Sequence, residues 1–291
     1  MGSQALQFLA AGLTSGSIYA LVALGFSIVF LASRVINFAQ GEFVMIGGMA
    51  ASSLVSVGMP LAAAMAIAVA IAAAVGLVLE KLAIERASRA DVTTLVIITI
   101  GASMLLRGIA QIVWGKGIRS LPPISGEQPI AIGGATILPQ SLWVLGTTIA
   151  IVAALSWFFG RTRLGRAMLA TAHNRLAAQL VGIDVKLVLF ASFGLAAALG
   201  AVAGMLIAPI GFTSYDTGVM LGLKGFAAAI LGGIGNFHGA IFGGLLLGLL
   251  ESLGAGFVSS AYKDAIAFVV LLGVLFVRPD GILGALRSDR V

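Results

Sequence analysis

Cysteine is absent from the whole chain, and charged residues are scarce. The absence of cysteine excludes a disulfide framework and any metal or redox chemistry based on thiols. Charged residues make up only 10 % of the 291 residues, whereas 60 % are hydrophobic. A soluble domain of this length needs far more charge to cover its surface. The composition therefore indicates a protein whose solvent is a lipid bilayer.

Long apolar runs divide the chain into candidate membrane spans. A helix needs about 20 apolar residues to cross a bilayer. Nine runs approach or reach that length, namely residues 5–32, 43–58, 61–79, 92–114, 141–160, 187–210, 217–232, 237–256 and 262–277. We therefore expect an all-α polytopic integral membrane protein with about 8–9 segments. The segments form a single domain over residues 1–291.

Small residues indicate how the spans pack. The short candidates 217–232 and 237–256 are separated by GGIGNFHG, which is typical of a broken or re-entrant pair. Small residues also recur every four positions in three ridges: Gly12, Gly16 and Ala20; Ala196, Gly200, Gly204 and Ala208; and Gly235, Gly239 and Gly243. Such ridges let helix backbones approach closely in lipid.

The distribution of basic residues predicts the orientation. Loop 80–91, loop 161–186 and the tail after residue 277 carry eleven of them: Lys81, Arg86, Arg89, Arg161, Arg163, Arg166, Arg175, Lys186, Arg278, Arg287 and Arg290. Because positive loops stay in the cytoplasm, these segments and the C-terminus lie inside and the N-terminus lies outside. Loop 115–140 then lies outside, and its prolines and glycines indicate turns and a small hairpin. The net charge of +6 reflects topology, so we expect no nucleic-acid partner.

The stretch SRVINFAQGEFVMIGGM, residues 33–49, is unusually polar for its position between two apolar runs. Four polar residues fall within nine positions: Arg34, Asn37, Gln40 and Glu42. The apolar run that follows reaches spanning length if its helix begins near Val35, which draws these residues to membrane depth. Exposing them to lipid costs about 2–3 kcal/mol or more each, so they face a cavity or another helix. Asn37, Gln40 and Glu42 either line a translocation route near the cytoplasmic side or hold the end of the first helix.

Loop 161–186 is basic, yet it carries apolar residues at helical spacing. These are Leu164, Met168, Leu169, Leu176, Leu180 and Val181. The pattern predicts an amphipathic helix, and Gly182 is a typical C-terminal stop. Such a helix either lies on anionic lipid or docks into a cleft on a partner.

Other ionisable residues near the spans have two interpretations each. Asp216 and Lys224 flank the start of the seventh segment, where they either contact a soluble partner outside or cap a helix. Arg107 either extends its side chain toward the interface or pairs with Asp264 or Glu251. Two histidines are present, His173 and His238. Neither has a second ligand at helical spacing, so we predict no metal site.

Five stretches resemble one known family. LGRAMLATAHNRLAAQLVGIDVKLV is similar to the cytoplasmic coupling segment of ABC-importer permeases. LTSGSIYALVALGFSIVF followed by RVINFAQGEFVMIGGM resembles the N-terminal signature of the branched-chain amino-acid permease family. TSYDTGVMLGLKGFAAAILGGIGNFHGAIFGGLLLGLLE and the ending FVRPDGILG resemble the same family. The matches run in the family's order from about residue 11 to residue 284.

The resemblance implies a permease subunit of a binding-protein-dependent ABC importer in the bacterial cytoplasmic membrane. It implies four kinds of partner: a second related permease or a second copy of this chain, two ATPase subunits, a solute-binding protein outside, and the lipid bilayer. The coupling role would fall on Gly165, Arg166, Ala170, Asn174, Ala177, Ala178 and Gly182. The chain carries no G-x-x-x-x-G-K-[ST] loop, so we expect no enzyme activity and no cofactor here, and ATP is bound by the partners.

Three alternatives compete with the import of leucine, isoleucine and valine. Related permeases carry urea or short amides. A secondary transporter would suit broken glycine-rich helices, but ion coupling usually needs buried acids, and Glu42 is the only clear one. An intramembrane protease would need a second catalytic half beside the Tyr215–Asp216 pair, and the sequence offers none.

Overall fold

The computed structural model of the chain describes residues 2–87, 90–126, 128–132, 135–257 and 259–284. Arg89, Arg287 and Arg290, which the orientation argument uses, lie outside these ranges. The described ranges contain eleven α-helices: α1 (Gly2–Ser33), α2 (Gln40–Ser56), α3 (Leu61–Leu79), α4 (Val92–Trp114), α5 (Pro139–Arg161), α6 (Arg163–His173), α7 (Arg175–Leu180), α8 (Val185–Gly211), α9 (Thr217–Gly232), α10 (Phe237–Phe257) and α11 (Lys263–Val277). A π-helical turn, Glu80–Ile84, extends α3, and a 3-10 turn, Ser260–Tyr262, precedes α11.

Seven stretches of the described chain are helical, long and apolar enough to cross a membrane: Gln4–Ser33, Leu61–Ile84, Val92–Trp114, Pro139–Arg161, Val185–Gly211, Phe237–Phe257 and Ser260–Val277. The helices α2 and α9 are shorter, with 17 and 16 residues. The all-α polytopic class is therefore confirmed, and the expected count of segments agrees approximately.

The two ends of the bundle are identified by the residues that meet at each of them. At one end, Ser33, Glu80, Leu95 and Val185 line a single cavity, so the C-terminal end of α1, the end of α3 and the starts of α4 and α8 meet beside α6 and α7. We call this end of the bundle the basic end. At the other end, Arg119 pairs with Thr213 through two backbone hydrogen bonds of 2.8 Å.

The loop between α4 and α5 contains the small hairpin that its composition predicted. Strand β1 (Ile130–Ile132) pairs antiparallel with strand β2 (Ala135–Ile137). The bundle end that carries Arg119, Thr213 and this loop is called the hairpin end below.

The helix α1 is the centre of the bundle. In the most apolar stretch of α1, 83 % of the residues are buried. The corresponding share is 11 % in α4 and 6 % in the stretch Ser260–Val277 that contains α11. It packs against α10, α8, α9 and α5. The outer helices instead present apolar side chains such as Ile112 and Phe276 to the surroundings, as expected where lipid is the solvent.

Glycine makes the contact between α1 and α10 possible. A Cβ atom added at Gly16 would lie 2.9 Å from the Cα atom of Leu245. A Cβ atom added at Gly244 would collide with the backbone of Ala20. The predicted ridges therefore do bring backbones together. In the third ridge, Gly239 and Gly243 pack against α9 in the same way.

The start of α2 differs from expectation. The helix begins at Gln40 and not near Val35, and residues 34–39 form an irregular break. Arg34 adopts a left-handed backbone conformation with φ of 61°, which ends α1. The Asn37 side chain then accepts a hydrogen bond from the Ala39 N–H at 3.1 Å, a local turn that competes with helix formation.

We predict that Gly244→Val lowers the stability of the detergent-extracted protein, because overpacking a close helix contact costs about 1–3 kcal/mol. Gly108→Val is the matched control, since nothing lies within 4 Å of a side chain at that position. Thermal unfolding of the two variants provides the measurement. An equal loss in both variants would contradict the packing account.

Candidate functional site

The first turn of α2 lies deep inside the bundle. The Gln40 amide donates a 2.9 Å hydrogen bond to the Ala196 carbonyl oxygen of α8. Ala196 is eleven residues beyond Val185, which at 1.5 Å per residue is about 16 Å from the basic end of α8. Gln40 therefore contacts α8 close to the midpoint of that helix. Gly25 of α1 makes room for the Gln40 side chain.

Glu42 is the central charge of the site. It is 1 % exposed, and its Oε1 atom accepts hydrogen bonds from Ser103 Oγ at 2.8 Å and Arg107 Nη2 at 3.0 Å. Both partners lie on α4. Glu42 also sits in the first turn of α2, where the helix dipole favours a negative charge. Its Oε2 atom has no hydrogen-bond partner among the described residues.

The sequence-based partners of Arg107 were wrong. Arg107 pairs with Glu42, and neither Glu251 nor Asp264 forms an ion pair with it. The reason is packing: α4 lies against α2, whereas Glu251 and Asp264 belong to helices that pack around α9. The near-cytoplasmic depth expected for Glu42 stays a prediction.

The start of α9 meets the start of α2 at Glu42. A Cβ atom added at Gly41 would collide with the backbone of Gly218. A Cβ atom added at Gly218 would collide with the Gly41 carbonyl group and would lie 3.1 Å from Glu42 Oε2. The two glycines therefore allow the two N-terminal ends to touch. Helix N-termini carry partial positive charge, so their meeting favours an anionic group at this point.

A cavity of about 150 Å³ opens beside this junction. Its polar lining includes Glu42, Ser103 and Arg107, and its apolar lining is Phe26, Phe38, Ile100, Val219, Leu223 and Phe226. Both charged residues and an apolar wall therefore face one small space. We call it the Glu42 cavity.

Ser103 and Arg107 were not predicted as members of the site. They follow Thr99 on α4 at intervals of four residues, so the three share one helix face. Thr99 Oγ1 accepts a hydrogen bond from the Phe38 N–H at 3.2 Å, which holds the break against α4. This polar stripe on an otherwise apolar helix was the signal available in the sequence.

Asn37 also lies in the break and is fully buried. Its side-chain oxygen is used in the local turn with Ala39, and its Nδ2 atom has no described hydrogen-bond partner. The three residues expected at depth are thus brought together, although Gln40 and Asn37 bind backbone and only Glu42 lines the cavity.

Lys224 contradicts its predicted role. It is 5 % exposed, and its Nζ atom lies 2.8 Å from Glu251 Oε1 and 2.7 Å from Asp264 Oδ1. Tyr19 donates a 2.8 Å hydrogen bond to Glu251 Oε2. This buried cluster ties α9 to α1, α10 and α11, so Lys224 neither caps a helix nor offers its side chain to a soluble partner.

Asp216 is exposed at the N-terminal boundary of α9 but makes no side-chain capping bond to that helix. It accepts a 2.6 Å hydrogen bond from Ser214 Oγ instead. The expected cap is therefore wrong for Asp216 as well. Its exposure leaves contact with a soluble partner as a prediction.

The segment 161–186 forms two short helices and not one. Asn174 has extended backbone angles, and its side chain accepts the Ala177 N–H at 3.0 Å, so it caps the start of α7. Gly182 ends α7 with φ of 86°, and Ile183 N–H donates to the Ala178 carbonyl. This is the Schellman arrangement that the glycine predicted.

The two helices differ in what their apolar residues contact. In α6, Met168 is 3 % exposed and packs against the bundle, and Gly165 lets α6 approach the backbone of Phe158. In α7 and just beyond, Leu180 and Val181 are 81 % and 77 % exposed. Of the remaining expected coupling residues, Ala178 is buried, and four are exposed: Arg166, Ala170, Asn174 and Ala177.

Arg34 joins this segment to the break. Its Nη2 atom donates to the Ala172 carbonyl in the last turn of α6. Arg34 is also the residue in left-handed conformation that ends α1. This hydrogen bond links α6 to the residues that lead to Gln40 and Glu42.

Charges at the basic end form a surface network. The carboxylate of Glu85 lies 2.6 Å from Lys81 Nζ and 3.2 Å from Lys186 Nζ. The hydrogen bond from Lys81, followed by that from Lys186, holds the pKa of Glu85 below its usual range. This network ties the end of α3 to the start of α8 beside α6 and α7.

The described residues contain no group of three or more His, Cys, Asp or Glu side chains that could hold a metal ion. Of the two histidines, His173 places its Nδ1 atom 2.8 Å from the Leu169 carbonyl oxygen within α6.

Comparison with known proteins gives a consistent set of relatives. Residues 8–275 match the family described as branched-chain amino acid transport system / permease component. The high-affinity branched-chain amino acid transport system permease protein BraD of Pseudomonas aeruginosa is 36 % identical, with 98 % of each chain covered. The corresponding LivH of Escherichia coli K12 is 34 % identical, with 100 % of each covered.

Among solved structures, PsaBC from Streptococcus pneumoniae in complex with Fab is similar, with a TM-score of 0.53 and 15 % identity. The match covers 94 % of this chain and 92 % of that one. At this identity, the likeness concerns the fold alone.

We predict that Arg107→Gln destabilises the protein by about 3 kcal/mol, because it leaves the buried Glu42 charge without its ionic partner. The double variant Glu42→Gln/Arg107→Gln should recover most of the loss, since no unpaired charge remains. Thermal unfolding of the single and double variants in detergent measures both. A double variant no more stable than Arg107→Gln would contradict the ion-pair account.

Proposed function

Because this chain belongs to the family of branched-chain amino acid transport system permease components, we propose that it is the membrane permease subunit of an ABC importer. Its substrates are leucine, isoleucine and valine. The observation that carries this proposal is similarity over whole chains to permeases named for high-affinity branched-chain amino acid transport.

We propose that the chain lies in the bacterial cytoplasmic membrane with its basic end in the cytoplasm. The exposed positive charges of this end support that orientation, because positive loops are retained inside. The C-terminus then lies inside, while the N-terminus, the hairpin end and loop 115–140 lie outside. Asp216, which is exposed, is a candidate contact for a solute-binding protein.

ATP is bound and hydrolysed by two partner subunits beneath the basic end. The coupling segment 161–186 docks on them through α7, whose Leu176, Leu180 and Val181 are exposed apolar residues on an otherwise polar surface. A second permease, related or identical, completes the membrane unit.

The importer works by alternating access, and Arg34 is the mechanical link. Nucleotide-driven closure of the ATPases moves α6 and α7, and the hydrogen bond from Arg34 to Ala172 passes the movement to the break at residues 34–39. The break leads to Gln40 and Glu42, which lie on the translocation path. Asn37 stabilises the turn between them.

Uptake of labelled leucine tests the function directly. Cells with the gene should show saturable uptake of labelled leucine at sub-micromolar concentration. An excess of unlabelled isoleucine or valine should reduce this uptake, whereas urea should not. Cells without the gene should lose it. Unchanged uptake after deletion would contradict branched-chain transport and move the substrate to urea, an amide or another small solute.

Arg34→Ala should uncouple ATP hydrolysis from transport, because it cuts the link between α6 and the break. In proteoliposomes that hold the whole complex, we expect ATPase activity within about twofold of wild type and leucine uptake reduced about tenfold or more. Arg86→Ala is the control, since Arg86 is an exposed arginine at the same end. Equal uptake by both variants would contradict the link.

A further inference from the structure

Glu42 and Arg107 both line the Glu42 cavity, so an acidic and a basic side chain border the same space. Each also carries one buried polar atom, Oε2 of Glu42 and Nε of Arg107, that has no hydrogen-bond partner among the described residues, although the two side chains pair through other atoms. Buried polar atoms nearly always find a partner. The pair therefore has hydrogen-bonding capacity beyond the bond that it makes internally.

The charges suit a ligand that carries both signs. An ammonium group on a ligand would donate to the Glu42 carboxylate, and a carboxylate on the same ligand would accept from the Arg107 guanidinium. A free α-amino acid carries both groups on one carbon atom.

The rest of the cavity is apolar and small. Its apolar lining includes Phe38, Ile100, Val219, Leu223 and Phe226. The volume of about 150 Å³ is comparable to that of an apolar protein cavity of about 150 Å³ that binds benzene. The space therefore accommodates the side chain of one aliphatic residue and excludes a peptide.

We propose that the Glu42 cavity is a low-affinity binding subsite for a single aliphatic amino acid inside the membrane. Glu42 binds the α-ammonium group, Arg107 binds the α-carboxylate, and the walls formed by α1, α4 and α9 contact the side chain. This proposal rests on the proposed function and adds a residence point for the substrate between release outside and exit inside. The affinity is low because the ligand competes with the internal Glu42–Arg107 pair.

Equilibrium dialysis tests the subsite on the purified whole complex without binding protein, using labelled leucine. We expect saturable binding in the millimolar range that isoleucine and valine displace. Two analogues should not displace it: 4-methylpentanoate, which has no ammonium group, and 3-methylbutylamine, which has no carboxylate. Absence of saturable binding, or displacement by either analogue at equal concentration, would overturn the proposal.

Variants separate the subsite from a structural ion pair. Glu42→Gln should weaken leucine binding about thirtyfold or more, as expected for one partner of a desolvated charge pair. Val219→Phe should abolish leucine binding by filling the cavity while leaving the charges in place. Glu251→Gln, which neutralises the other buried ion-paired glutamate, is the matched control and should leave the Kd within about twofold of wild type. Equal effects of Glu42→Gln and Glu251→Gln would overturn the proposal.

The proposed function and the proposed subsite are contradicted by different results. Loss of competition by isoleucine and valine in cellular uptake of leucine would contradict the proposed function. Normal uptake by a complex that shows no saturable leucine binding in dialysis would leave the function standing and overturn the subsite alone.

Discussion

A charge buried inside a helix bundle must be paired within the protein, and the Glu42–Arg107 pair meets that requirement. The pair fixes α4 to the start of α2, two elements that otherwise touch little. It also explains why α2 begins where it does, since Glu42 lies in the first turn, where the helix dipole stabilises its charge. The second buried cluster, around Lys224 and Glu251, holds α9 to α10 and α11 in the same manner.

Close packing of small residues brings these charges together. Lipid provides no hydrophobic drive for helices to associate, so contact surfaces must fit tightly. Glycines on α1 and α10 bring their backbones into contact, and Gly41 and Gly218 do the same for the starts of α2 and α9. The second contact creates a junction of two helix N-termini inside the bundle. The helices α2 and α9 are short because both begin inside the bundle.

Much of the fold was predictable from local pattern. Hydropathy located the spans, the four-residue spacing of small residues located the close contacts, and Gly182 marked the end of α7. The polar stretch was interpreted as a break between the first two helices, but α2 begins later than the start near Val35 that spanning length required. The reason is local: Arg34 ends α1 in a left-handed conformation, and the turn between Asn37 and Ala39 competes with helix formation.

The ion-pair partners within the site were less predictable than the position of the site in the sequence. The polar stretch around Glu42 was recognised as part of a crossing, but its partner Arg107 is 65 residues away. Choosing among Glu42, Glu251 and Asp264 requires knowing which helices pack together, and composition does not contain that information. The same applies to Lys224, whose burial follows from the packing of α9 against α1 and α10.

Alternating access with Glu42 on the translocation path, as proposed above, requires the Glu42 cavity to open to opposite sides of the membrane in turn. The chain contains no cysteine, so Val219→Cys places a single thiol in the cavity wall without other changes. We would measure its reaction with a membrane-impermeant thiol reagent added to either side of proteoliposomes that hold the whole complex, with and without ATP. The account predicts reaction from one side in the nucleotide-free state and from the other when ATP is bound. A thiol that reacts from neither side in either state would contradict it.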